Sequence, residues 1–301
     1  MTQSPLSKRL HRSMCRRRLE RGGLTLLEVI VSSLLVAILC ALVFPALIRI
    51  RDAANRTHCA NNLRQVLMAV HLCNDSTQSL PPYSTGQATN DVVGGWWIYL
   101  LPYVGEHALY DELKASSNDI SANGGVTSTM VVTRPEYRGR RFQVLRCLSD
   151  PTLGSWKLGE ATTNYLAKWY VFGAGIRYCY APPQKITTIQ NGLSNAVFLA
   201  EGYSNCDELA REAFVACNKH NFGITWHAKP SDDPSYTPDN YLMFQVMPPI
   251  AGTSCCDPLR AQTAHPMMPV AFGDGSVRSI GSGITLEAWT QLMKPRRVVQ
   301  Q

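Results

Sequence analysis

Apolar positions are distributed along the chain in two ways. From residue 24 to residue 48 they are almost continuous: "LTLLEVIVSSLLVAILCALVFPALI" holds no base and one acid, Glu28. Past Arg49 they thin to a stripe. Cys59, Leu63, Val66, Val70 and Cys73 follow one another at steps of four, three, four and three, the spacing of one helix face. Nothing but Pro45 interrupts the passage from one regime to the other, and Pro81-Pro82 cannot continue a helix. The pattern therefore predicts one helix from about residue 24 to residue 74, roughly 75 Å long at ~1.5 Å per residue. Its first half (24–48) is apolar all round, and its second half (49–78) is amphipathic.

The rest, residues 79–301, reads as short elements. "GGWWIYLLPYVGEHALYDELKA" is rich in aromatic residues and becomes helical in its second part. "RRFQVLRCLSDP" (140–151) alternates like a strand that stops at Asp150-Pro151. "KITTIQNGLSNAVFLAEG" (185–202) reads as strand, Asn191-Gly192 turn, strand. "MPVAFGDGSVRSI" (268–280) reads as two strands around Gly273-Asp274-Gly275. "TLEAWTQLM" is a short final helix, with Thr285 as N-cap and Glu287 in the positive first turn. The predicted class is α+β: one long helix on a mainly antiparallel sheet with small helices.

Charge narrows the function. The formal net charge is +7, but residues 1–23 hold seven bases and one acid, so everything after Gly23 carries only +1. The body lacks the basic footprint that nucleic-acid binding needs. A basic leader followed by 25 apolar residues is long enough to cross a ~30 Å hydrocarbon core. It places the N-terminus in the cytoplasm and the body on the far side of an inner membrane. The run is too long for a secretory signal and no A-x-A site follows it. Eight of the ten cysteines lie beyond that run, where disulfides are permitted. No C-x-x-C pair is present, so no metal and no cofactor are expected.

A lone carboxylate in such a run needs a partner. If the chain is cut between Gly23 and Leu24, Glu28 becomes the fifth residue and a new α-amine appears beside it. "GG" followed by "LTLLEVIVSSLL" resembles the cleavage and methylation signal of type IV prepilins and type II secretion pseudopilins, and Pro45, twenty-second from the cut, falls where many pilins carry a kinking proline. "RTHCANNLRQVLMAVHLCND", "GWWIYLLPYVGEHALYDEL", "RCLSDP", "TNYLA", "GLSNAVFLAE" and "HPMMPVAFGDGSVRSI" occur in an order similar to a large prepilin-like family, domain of unknown function 1559. That family usually has two glycines after its His-Pro, where this chain has Met267-Met268.

The resemblance implies a pilin-like fold and processing at Gly23 and Leu24 by a prepilin peptidase. It also implies N-methylation, and a structural rather than enzymatic role in the inner membrane lipid, a pilus or a pseudopilus. Glu28 and Pro45 would serve assembly with other pilin-like subunits or with copies of the same chain. The alternative is a membrane-anchored extracytoplasmic binding module or enzyme that uses the signal for sorting. The recurrence of both blocks in the family places Cys59 near Cys147. Cys206 and Cys217 flank a small closable loop and form a second expected pair. Asp274, Gly275 and Ser276 read as a structural turn. Ser276, Asp274 and His265 supply the residue types of a hydrolase without its G-x-S-x-G elbow, and His220 and His227 lack the spacing of a helical zinc pair.

Overall fold

The computed structural model describes residues 25–82, 95–122, 140–154, 161–172, 184–206, 209–211, 243–250, 256–258 and 260–293. The chain divides into two compact units, Met1–Ile50 and Arg51–Gln301.

Helix α1, Leu26–Thr77, is unbroken over 52 residues and runs through Pro45, whose missing N–H leaves the Ala41 carbonyl without its intrahelical donor. None of its apolar N-terminal window is buried, so this stretch is not the core helix of a globular domain. It is one helix long and apolar enough to cross a membrane. In the second unit α1 changes character. Cys59, Leu63, Val66, Val70 and Cys73 are all buried, together with Asn62, Leu67 and Ala69. Gln78 ends the helix in the left-handed region (φ 57°), its side-chain amide donating to Asp75 O at 2.9 Å.

The second unit is built on a four-stranded antiparallel sheet in the order β1-β2-β7-β8: β1 Tyr165–Ala167, β2 Val197–Glu201, β7 Met267–Phe272, β8 Val277–Gly281. Two small ribbons accompany it, antiparallel β3 Asn205–Cys206 with β4 Leu209–Ala210, and parallel β5 Gln245–Val246 with β6 Gln262–Thr263. One face of the main sheet (Tyr165, Ala167, Phe198, Leu199, Ala271) packs in one core with the α1 stripe and with helix α2, Trp96–Leu100. Rings link these layers, Trp96 to Phe172 at 5.3 Å and Phe172 to Phe198 at 5.8 Å between centroids. Helix α3, His107–Ala122, adds Leu109 and Leu113. The other face (Leu166, Val197, Ala200, Val270, Phe272) packs on Trp289 and Met293 of the final helix, Leu286–Met293. Thr285 Oγ1 accepts from Ala288 N at 3.2 Å and caps that helix.

The fold is thus α+β, a long helix with a mainly antiparallel sheet and short helices. Two strand expectations fail. Residues 143–145 form a 3-10 turn, not a strand, because Leu145 O accepts from Asn164 N and Cys147 N donates to a side chain, Asn164 Oδ1, which leaves no ladder to build. Residues 186–188 and 193–195 are also 3-10 turns, so only Val197–Glu201 of that predicted hairpin is extended. Met267 and Met268, in place of the family's glycines, are strand residues facing Gly281 and Ile280, and no turn occurs there.

Strand β2 holds one irregularity with consequences. Its register with β7 shifts between Val197 and Leu199, where one extra residue is inserted. Phe198 and Leu199 consequently both belong to the core shared with α1. The alternation then resumes one step out of phase, so Ala200 faces the final helix and Glu201, paired with Tyr165, turns toward α1.

Candidate functional site

The buried centre of the second unit lies where Cys59 of α1 meets the loop after the 3-10 turn. Asn62, one turn further on, donates from Nδ2 to Gln143 O (3.2 Å) and Arg146 O (2.9 Å), and so seats that loop on the helix. Cys59 and Cys147 are joined by a disulfide with Cα atoms 5.1 Å apart. Tyr165 Oη donates to Cys59 O at 3.0 Å, tying β1 to the same helical turn. Burial, followed by the Glu201 charge, pushes the Tyr165 phenol well above its ordinary range.

Asp150 organises the loop. Its Oδ1 accepts from Thr152 N (2.8 Å) and Thr152 Oγ1 (2.7 Å), and its Oδ2 accepts from Asn164 Nδ2 (2.7 Å) and Ser204 N (2.8 Å). Asn164 completes the network by donating to Gly202 O and accepting from Cys147 N. The blocks "RCLSDP" and "TNYLA" are therefore two halves of one buried hydrogen-bond network, and the segment around Gly202 closes it.

Against the disulfide stand His265 and Glu201. His265 Nε2 is 3.4 Å from Cys147 Sγ and 3.5 Å from Glu201 Oε1. Thr263 Oγ1 donates to Glu201 Oε2 and accepts from His265 N. Glu201 Oε1 accepts no hydrogen bond; its contact with His265 has ion-pair distance but not hydrogen-bond geometry. All four of Cys59, Cys147, Glu201 and His265 are buried, and one ligand-type atom from each lies within 4.8 Å of the others.

Cys206 is bonded to Cys256, not to the expected Cys217; Cys217 lies outside the described residues. The physical reason is the packing of Tyr203, Cys206 and Cys256 in one small cluster, which brings the β3 end against the segment before β6. Nearby, Arg211 is buried. Its Nη2 donates to Gln262 Oε1 (2.8 Å), Pro258 O and Arg260 O, and burial brings its pKa down to about 10. Among the described residues Cys40 and Cys73 are free; burial pushes the Cys73 thiol up to about 11.

The turn residues close the β7–β8 hairpin. Gly275 has φ +88°, and its N–H donates to Phe272 O. A Cβ on Gly273 would meet the Phe198 ring at 2.5 Å. Asp274 Oδ1 accepts from Ser276 N (2.9 Å) and Ser276 Oγ (2.6 Å), and Oδ2 faces Arg278 at 3.1 Å. Slight burial works to raise the Asp274 pKa, but the Ser276 bonds and Arg278 outweigh it and hold it low. Ser276 and His265 are not brought together. They stand at opposite ends of β7, whose six residues span about 20 Å.

Gly23 and Leu24 lie outside the described residues, as do His220 and His227. Glu28 does not. Its Oε2 accepts from Thr25 N (3.1 Å) and Thr25 Oγ1 (3.2 Å), while Thr25 Oγ1 accepts from Glu28 N (3.3 Å). This is a reciprocal capping box, and its T-x-x-E spacing was present in the sequence.

Residues 49–287 match the family described as "Protein of unknown function (DUF1559)". The chain belongs to it. No curated protein and no solved structure matches the chain. The DUF1559 match begins at residue 49, one residue past the apolar run, and includes Cys59, Cys147, Glu201 and His265 alike.

Proposed function

We propose that this DUF1559 chain is a prepilin-like structural subunit. Cleavage after Gly23 releases Leu24 as a new N-terminus. The apolar half of α1 then holds the chain in the inner membrane, with the second unit on the extracytoplasmic side. The observation that carries the reading is the single helix that is wholly exposed along its apolar half and buried along the stripe from Cys59 onward. A helix of that kind needs lipid or neighbouring helices around its first half. An unpaired Leu24 amine or Glu28 carboxylate in low dielectric is costly, so a neighbour's amine is a natural partner for Glu28. The role is structural rather than catalytic.

The capping box favours a second reading, because it gives Glu28 a task that requires no neighbour. In that reading the chain is an anchored extracytoplasmic binding module. Glu28→Gln separates the two, since glutamine fills the same place in a capping box but carries no charge. Full-length Glu28→Gln protein, expressed with its peptidase, is expected to be cut and anchored normally and to lose crosslinks between neighbouring chains. Crosslinking at the parent's level would favour the anchored module.

A further inference from the structure

We propose that Cys59, Cys147, His265 and Glu201 form a zinc site whenever the Cys59–Cys147 pair is in its dithiol form. The site is assembled from four separate segments: α1, the loop after the 3-10 turn, the bulged strand β2, and the loop before β7. Its donors, two sulfurs, one imidazole nitrogen and one carboxylate oxygen, suit a tetrahedral zinc ion with no open position. Bond lengths of ~2.3 Å to sulfur and ~2.0–2.2 Å to nitrogen and oxygen set the edges of such a tetrahedron at ~3.6 Å for sulfur to nitrogen and ~3.4 Å for nitrogen to oxygen. The corresponding separations here are 3.4 Å from Cys147 Sγ to His265 Nε2 and 3.5 Å from His265 Nε2 to Glu201 Oε1. The remaining separations lie within 4.8 Å, and the sulfur pair must open. Once unbonded, the sulfurs part to the ~3.8 Å edge of the tetrahedron by rotation about the cysteine side-chain torsions.

A second observation points the same way. Glu201 Oε1 is buried and accepts no hydrogen bond, although its partner oxygen is satisfied by Thr263. A cation between it and the sulfurs supplies what that oxygen lacks. Thr263 would act as the supporting contact that orients the ligand. The β2 bulge turns Glu201 to this side of the sheet, so its only evident effect on that residue is to aim a carboxylate at two cysteines.

A phosphine reductant opens the disulfide, becoming a phosphine oxide with oxygen from water, and both sulfurs gain a proton. Zinc binding then displaces those two protons. In the reverse direction a disulfide-bearing oxidant takes two electrons from the zinc dithiolate. Its own sulfurs take up two protons, the Cys59–Cys147 bond forms, and Zn²⁺ leaves. The same α1-to-loop junction is locked in either form, by a covalent bond or by a metal.

The test uses the full-length protein in detergent, reduced with a water-soluble phosphine, then given Zn²⁺ or Co²⁺ alone. Elemental analysis should show one zinc per chain bound at this site in reduced protein and none in oxidised protein. The cobalt form should show the charge-transfer band of two thiolates and the intense visible bands of a tetrahedral ion. Cys206→Ser/Cys256→Ser should bind as the parent does, and Cys59→Ser/Cys147→Ser should not. His265→Ala and Glu201→Gln should each weaken binding at least tenfold. If the reduced chain loses its near-ultraviolet circular dichroism, zinc should restore it. Three results would overturn the proposal: a folded dithiol that takes up no zinc, an unfolded one that zinc does not restore, or uptake indifferent to His265 and Glu201.

Discussion

Replacing Asp150 with asparagine keeps its shape but turns one acceptor oxygen into a donor. Four donors converge on that carboxylate, from Thr152, Asn164 and Ser204, so two of them would lose their acceptor inside the core. Charge-assisted bonds of this kind are worth about 1.5–3 kcal/mol each, and Asp150→Asn should lower the stability of the oxidised protein by roughly 3 kcal/mol in denaturant unfolding. An unchanged midpoint would contradict the network. The Asp274 turn makes the opposite contrast. Gly275→Val places a branched side chain at φ +88° and should cost about 1 kcal/mol or more. Ser276→Ala keeps the backbone donor to Asp274 and should stay within about 0.5 kcal/mol. The geometric role of Gly275 could be read from the composition of its turn. That of Asp150 could not, because its donors come from residues 152, 164 and 204, and sequence order says nothing of their convergence.

At the scale of elements, α1 was the most legible part of the chain. Its stripe is a local periodicity, and the five positions predicted to face inward are all buried, with Asn62, Leu67 and Ala69 beside them. The segment 140–151 reads as a strand because apolar residues alternate there, and alternation cannot reveal that a side chain, Asn164, has claimed a backbone donor that a ladder would need; the 3-10 turn at 186–188 was likewise hidden beside its Asn191-Gly192 turn signal. The β2 bulge was equally hidden, since an inserted residue has no composition of its own. Yet it decides that Glu201 faces Cys59. The disulfide that joins α1 to the loop closes a separation of 88 residues. On the chain-entropy account, such a link contributes ~4–5 kcal/mol. The Cys59→Ser/Cys147→Ser protein should therefore unfold at a lower denaturant concentration than the oxidised parent, by an amount of that order. A double mutant as stable as the parent would show that packing alone holds the junction.

For the whole molecule, the family assignment and, among the described residues, one membrane-length helix are in hand, and the proposed processing would join them into a function. The basic run before Gly23, Gly23 itself and Glu28 were visible in the sequence as the expected processing signal because they lie within a short linear span. Of the buried cluster, the Cys59–Cys147 pair was expected from the resemblance and is a disulfide, but Glu201 and His265 were not placed beside it, because the four residues are scattered over more than two hundred positions and show no ligand spacing. The two parts make independent demands: the cluster concerns how the second unit is locked, and the leader concerns where the chain is placed. The capping box adds a constraint on the second, since the proposed cut after Gly23 would leave Thr25 and Glu28 intact and the helix would keep its start. The most direct measurement is the mass of the N-terminal peptide from membrane-extracted protein made with a prepilin peptidase. The expected mass is that of a chain beginning at Leu24 with one N-methyl group, and a Gly23→Ala chain should keep residues 1–23 and stay in the membrane fraction. A mature parent chain that still begins at Met1, or one that begins beyond Ile48, would contradict that expectation.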